Sequence, residues 1–163
     1  MDTLKDLYID QLQDLYSADR QSLEMTKKLA DAAKDEDLTA GLQRGVEGIQ
    51  RGIDTVVPII RKHDAEPTGE FCKGMEGLVK EAKAHALKTE FTDDDVRDAM
   101  IITQYQRMVH YGIAGYGCLV AFANRLGLKD EADQLKACLE QTRDGDREMT
   151  RIAERDVNPS AAA

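Results

Sequence analysis

From Leu4 the chain repeats a face at alternating steps of four and three: Leu4, Tyr8, Leu12, Leu15, Asp19, Ser22, Thr26 and Leu29. That period matches one side of an α-helix and predicts a first helix ending near Lys34-Asp35. A second seam, Leu42, Val46, Ile49, Ile53, Val56 and Ile60, stops before Ala65-Glu66-Pro67-Thr68-Gly69, whose proline and glycine break helices. This second helix carries Gly41, Gly45, Gly48 and Gly52. Each glycine lowers intrinsic helicity by about 1 kcal/mol relative to alanine, and together they form a side-chain-free stripe where another backbone can approach, inside the chain or across a dimer seam.

Residues 72–88 predict a shorter amphipathic helix through Met75, Leu78, Val79, Ala82, Ala86 and Leu87. Thr92-Asp93-Asp94-Asp95 then offers a capping hydroxyl and three carboxylates to the positive end of a helix dipole. The long helix that follows reads as Val96, Ala99, Thr103, Gln106, His110, Ile113, Gly117 and Val120, and stops at Leu126-Gly127. A last helix runs through Ala132, Leu135, Leu139, Thr142, Asp146, Met149 and Ala153, ending before Asn158-Pro159. Two pairs of long helices joined by a connection that itself holds a helix describe an all-α, ferritin-like four-helix bundle with a long crossover. The expected organisation is one bundle over residues 1–158 and a tail over 159–163.

Composition narrows the function classes. The chain has 163 residues, is 42% hydrophobic and 33% charged but only 5% aromatic, and carries a net charge of −9. Room for one core follows from the length, and the acidic balance disfavours nucleic acids and anionic membranes as partners. The start lacks a basic, apolar leader and no window is apolar enough to span a bilayer, so a cytoplasmic location is expected. Cys72, Cys118 and Cys138 are odd in number and set among apolar residues, as expected of buried free thiols. There is no glycine-rich phosphate loop, Gly-x-Ser-x-Gly, Cys-x-x-Cys or His-Glu-x-x-His, so hydrolase, kinase and zinc-site readings have no support.

Polar residues in the seams carry the remaining chemistry. An inward Asp19 or Asp146 costs several kcal/mol unless it is paired, hydrogen-bonded or metal-bound. The pairing reading offers Arg20, Arg51, Arg107, Arg143 and Arg147; the metal reading joins Asp19 and Asp146 to Glu47, Gln50 and His110. His110, between Val109 and Tyr111, fits a hydrogen-bonded core histidine as well as a ligand, whereas His63 and His85 lie near helix ends with no evident partner. Tyr105, Tyr111 and Tyr116 share one helix and are expected to pack with satisfied hydroxyls.

The segment Leu15-Tyr16-Ser17-Ala18-Asp19-Arg20-Gln21 resembles an element of the YciE/YciF family of bacterial ferritin-like stress proteins. The resemblance continues through Cys72-Lys73-Gly74-Met75-Glu76-Gly77-Leu78, Val96-Arg97-Asp98-Ala99, His110-Tyr111-Gly112-Ile113-Ala114-Gly115-Tyr116-Gly117, Leu126-Gly127 and Asp156-Val157-Asn158, and so covers nearly the whole chain. It implies a compact bundle, often dimeric, associated with stress, with a diiron-like core. By that resemblance the helix 1 glutamate falls on Asp19 and the helix 2 Glu-x-x-His pair on Glu47 and Gln50. The family's Glu-His-Tyr-Glu falls on Val109, His110, Tyr111 and Gly112, and its last-helix Glu-Glu on Gln141 and Thr142, with Asp146 kept.

Two buried divalent cations need several anionic oxygens, which valine, glycine, glutamine and threonine do not supply. The expectation is a weak or lost dinuclear site, no cofactor, no assigned catalytic residue, and a homodimer or partner-binding module. The alternatives are an iron- or manganese-dependent oxidase, peroxidase, catalase or storage protein with a reduced site at Asp19, Glu47, Gln50, His110 and Asp146, or the inactive half of an assembly with a related family member.

Overall fold

The computed structural model describes all 163 residues. Its long helices are α1 (Leu4–Ala32), α2 (Glu36–Lys62), α4 (Asp94–Arg125) and α5 (Lys129–Ile152), with the short α3 (Lys73–Ala82) in the connection between α2 and α4. Helices α1 and α2 form one antiparallel pair and α4 and α5 the other; α1 packs on α4 and α2 on α5, so α1–α5 and α2–α4 are the diagonals. The connection runs the full length of the bundle, with α3 lying against α1 and α4. The fold is the expected four-helix bundle with a long, helix-bearing crossover.

Local chemistry sets the helix starts. Thr3 and Asp6 make a reciprocal capping box on α1, with Asp6 N–H donating to Thr3 Oγ1 at 3.1 Å and Thr3 N–H to Asp6 Oδ2 at 2.9 Å. Asp35 caps α2 through Leu38 N–H. On α4 the cap is Asp93, which accepts from Asp95 and Val96 N–H; the expected Thr92 hydroxyl is not used, because the carboxylate one residue later reaches both free amides. Gly127, at φ +74, makes the turn between α4 and α5. After α5 the backbone widens into a π-turn over Ala153–Val157, and a short α6 (Asn158–Ala161) continues past Pro159, which its position in the first turn tolerates.

Two polar fixtures hold the bundle ends. At one end Asp98, fully buried at the start of α4, accepts from Lys34 N–H at 3.1 Å and Asp35 N–H at 2.7 Å, clamping the α1–α2 turn. At the other end Glu131 is 1% exposed and joins three elements: Tyr8 donates to Oε2 at 2.9 Å, His63 Nε2 lies 2.9 Å from the same oxygen, and Lys62 Nζ is 2.9 Å from Oε1. Burial alone would raise the Glu131 pKa, but the bonds from His63, Lys62 and Tyr8 outweigh it and hold the group ionised, below its ordinary value. His63 therefore has a partner that its sequence neighbours did not suggest. His85, on the exposed side of the crossover, pairs with Glu81 one turn earlier at 3.2 Å.

The apolar core divides in two. One group includes Met25, Leu29, Leu42, Ile101 and Met108; the other includes Leu12, Val56, Leu119 and Leu135. Between them α1 presents the polar run Asp19, Ser22 and Thr26, all buried. The seam expected for α1 matches the buried positions closely; those of α2 and α5 match in part, with Val46, Ile49, Thr142, Asp146 and Ala153 only half-buried. That of α4 is displaced: Val96, Thr103 and His110 are exposed, and the helix buries Asp98, Ile101, Tyr105, Met108, Gly112, Tyr116, Leu119 and Ala123. Packing against α3 as well as the bundle widens the apolar arc of α4, so its centre is not marked by a single stripe. Of the cysteines only Cys72 is buried; Cys138 is half-buried and Cys118 exposed, all unpaired.

Asp98→Ala leaves the amides of Lys34 and Asp35 without an acceptor. Urea denaturation at neutral pH is expected to show a loss of about 2–3 kcal/mol, at the upper end for an orphaned buried hydrogen-bonding pair.

Candidate functional site

A cavity of about 460 Å³ occupies the bundle between the two apolar groups, reaching from a buried floor to an opening between α2 and α5. Glycines create it. On α2 the residues that face it at i, i+4, i+7 and i+11 are Gly41, Gly45, Gly48 and Gly52, and the space their missing side chains leave is entered from other helices. A Cβ on Gly52 would collide with the Tyr116 hydroxyl, one on Gly45 with the Tyr105 hydroxyl, one on Gly48 would lie 2.7 Å from the Gln141 amide, and one on Gly41 would lie 2.6 Å from Met149 Cε. The stripe thus faces side chains of its own chain, as an internal close contact would, with Gly41 and Gly52 buried and Gly45 and Gly48 half-buried.

The floor is chemically unusual. Asp19, 6% exposed, accepts one hydrogen bond, from the Tyr116 hydroxyl to Oδ2 at 2.7 Å; no arginine reaches it. Burial raises its pKa to about 7 against the opposing effect of that bond. The Tyr116 hydroxyl is in turn pushed well above its ordinary pKa, by burial first and by the neighbouring carboxyl second. Tyr105 is 3% exposed, makes no hydrogen bond through its hydroxyl, and is shifted up to about 12 by burial and by the charges of Glu148 and Asp146. Ser22 and Thr26 turn their hydroxyls to the α1 backbone at Asp19 and Ser22.

The rim is charged and paired. Arg44 bridges to Glu148 at 2.5 Å, and Arg51 reaches the Gln141 amide and lies 3.8 Å from Glu47. Asp144 pairs with Arg147 on its own helix, and Arg151 makes no ion pair.

The family model described as "Domain of unknown function (DUF892)" matches residues 3–162. Protein YciF of Escherichia coli (strain K12) is 33% identical over 162 residues, covering 99% of this chain and 96% of that protein. The chain belongs to the YciF family. The crystal structure of the E. coli stress protein YciF superposes with a TM-score of 0.89 at 32% identity, over 97% of this chain and 99% of that one. YcfI from Rhodopseudomonas palustris gives 0.85 at 31% identity, over 92% and 94%. A protein from Xanthomonas campestris pv. campestris, at 18% identity and a TM-score of 0.76 over 98% and 97%, shares the fold.

The five candidate ligands inferred for this YciF-family chain do not meet. Asp19 lies on the cavity floor. Glu47 and Gln50 point to solvent from the outer side of α2, the first beside Arg51 and the second bonded to Asp54 at 2.9 Å. His110 is 63% exposed and sits 3.2 Å from Asp146, which also accepts from Gln106 Nε2 at 3.0 Å. That pair occupies the outer α4–α5 seam. No three His, Cys, Asp or Glu side chains anywhere in the chain come close enough to share one ion. The assignment of Glu47 and Gln50 to the centre is corrected by the helix phase, since the inward i, i+3 pair of α2 is Gly45 and Gly48.

Tyr111 joins a separate cluster, donating to Asp14 Oδ2 at 2.9 Å and accepting from the Cys72 thiol at 2.9 Å, which fixes the start of α3 against α1 and α4. The cavity-facing roles of Tyr105 and Tyr116 were not legible on their own helix.

The folded Asp19 carboxyl keeps its proton up to about pH 7, whereas the unfolded group releases it near 3.8. Its contribution to stability is therefore complete below 3.8 and lost as the pH rises through 7. Asp19→Asn, which keeps an acceptor for Tyr116 and cannot ionise, is expected to raise Tm at pH 8 by at least about 2–4 °C. Thermal unfolding from pH 4 to 8 should show the advantage growing up to about pH 7 and then levelling off.

Proposed function

We propose that this YciF-family protein is a stress-response protein with a degenerate metal centre that acts as a non-catalytic dimeric or partner-binding module. The observation that carries the reading is the glycine wall. Of the four helices around the centre, α2 presents Gly45, Gly48 and Gly52 and therefore contributes no donor atom from a side chain.

The other walls support the same reading. Within the cavity the buried carboxylate is Asp19, while Glu148 and Asp144 at the rim are already engaged by Arg44 and Arg147. Two divalent cations would need more anionic oxygen than this to offset the hydration they give up. The donor set does not fit a dinuclear centre, and no redox step is assigned to it.

The test is elemental analysis of protein purified without chelators or a metal-affinity tag, after growth in medium containing iron and manganese. Far less than one equivalent of either metal in well-folded protein is the expected result. A stoichiometric transition metal ligated in the bundle centre overturns the reading. Light scattering after gel filtration should give twice the chain mass for the homodimer.

A further inference from the structure

We infer that the central cavity is a binding site for a small, flat organic molecule of the phenol or aromatic amide class, held between Asp19 and Tyr105. The inference goes beyond the partner-binding reading and rests on it only in taking the bundle centre to be free of metal. Its volume of about 460 Å³ lies within the range of small-molecule pockets, ~300–1,000 Å³.

Two polar groups on the floor lack part of their hydrogen bonding and both border the cavity. Asp19 uses Oδ2 for Tyr116 and has no second partner within the chain, and the Tyr105 hydroxyl has none at all. Each belongs to a residue at least nine-tenths buried. Buried polar groups are normally satisfied, so a ligand or water completes this pair. The choice between them comes from the walls: Ile49, Met108 and Val109 supply apolar surface between the two polar ends.

The spacing sets the length. Tyr116 and its carboxyl partner lie over Gly52 and Tyr105 lies over Gly45, seven residues apart on α2, which is about 10 Å at 1.5 Å per residue. A hydroxyl at one end of the ligand, which both donates and accepts, would meet Asp19 in either protonation state, and an acceptor at the other end would take the Tyr105 hydroxyl. One aromatic ring with substituents at opposite ends has that form. The opening puts little demand on ligand charge: Arg44 is paired with Glu148 and Arg51 lies 3.8 Å from Glu47. Entry lies between α2 and α5, past the Arg44–Glu148 bridge.

Calorimetric titration of the metal-free 163-residue protein with 4-hydroxybenzamide, 4-hydroxyacetophenone and benzamide, followed by amide NMR, tests the assignment. Saturable binding of the two phenols is expected, with shifts at Gly45, Gly48 and Gly52 and affinity about tenfold weaker for benzamide, which lacks the phenol hydroxyl. Tyr105→Phe removes one hydroxyl without changing shape and should weaken both phenols by about tenfold. Gly48→Leu, which displaces the flexible Gln141 amide and fills the space, should abolish binding. Circular dichroism establishes that each variant is folded; if Gly48→Leu is not, Tyr105→Phe decides alone. Absence of saturable phenol binding by the parent protein, or binding that Tyr105→Phe leaves unchanged, overturns the proposal. Either failure leaves the metal-content result standing, whereas a stoichiometric metal sinks the binding-module reading whatever the phenols do.

Discussion

A carboxyl group removed from water must find a partner or give up its charge, because the loss of hydration costs several kcal/mol. Asp19 does some of each. It takes one hydrogen bond from Tyr116 and sits at a pKa near 7, and the arrangement of the bundle centre follows from that bond. The Tyr116 hydroxyl reaches Asp19 only because position 52 has no side chain. The same absence at 45 and 48 admits Tyr105 and Gln141. The glycines, costly to helix propensity, are retained where aromatic rings from the diagonal helix need the room.

The polar middle also explains why the ends are so firmly tied. With the apolar core split in two, neither half spans the bundle, and the long helices depend on fixtures that set their register at each end. Asp98 does this where α1 turns into α2, by accepting from two backbone amides. Glu131 does it where α2 and α4 finish, by joining Tyr8, Lys62 and His63. Both are carboxylates near the beginning of a helix, where the dipole favours negative charge. Between these ends the centre can keep a cavity.

The YciF family likeness and the cavity bear on different levels of the argument. A TM-score of 0.89 to the E. coli stress protein fixes the framework. Function resides in the particular groups that the framework carries, and here the inward face of α2 is bare while the other three helices bring a carboxyl, phenols and an amide. That combination suits hydrogen bonding to an organic molecule better than it suits ionic coordination.

The helices and their order were legible in the sequence, because burial of one face imposes a period of 3.6 residues that survives in the pattern of Leu12, Leu15, Ile53, Val56, Leu135 and Leu139. The inward direction of Asp19 was not, because its seam left the register uncertain by a residue, and Asp146, read from its seam in the same way, meets the exposed His110 on the outer side. The phase of α4 was not either, since a helix covered on two sides by the bundle and by α3 is apolar over a wide arc, and Thr103 and His110 fall midway between Ile101 and Tyr105 and between Met108 and Gly112. The partners of Asp19, Glu131 and Asp98 lie 97, 123 or 68, and 64 or 63 residues away in the chain, and no local period encodes such a distance. Periodicity fixes which side of a helix is buried. Which side chain then meets which depends on helix rotation and height, and only the packed tertiary structure decides those.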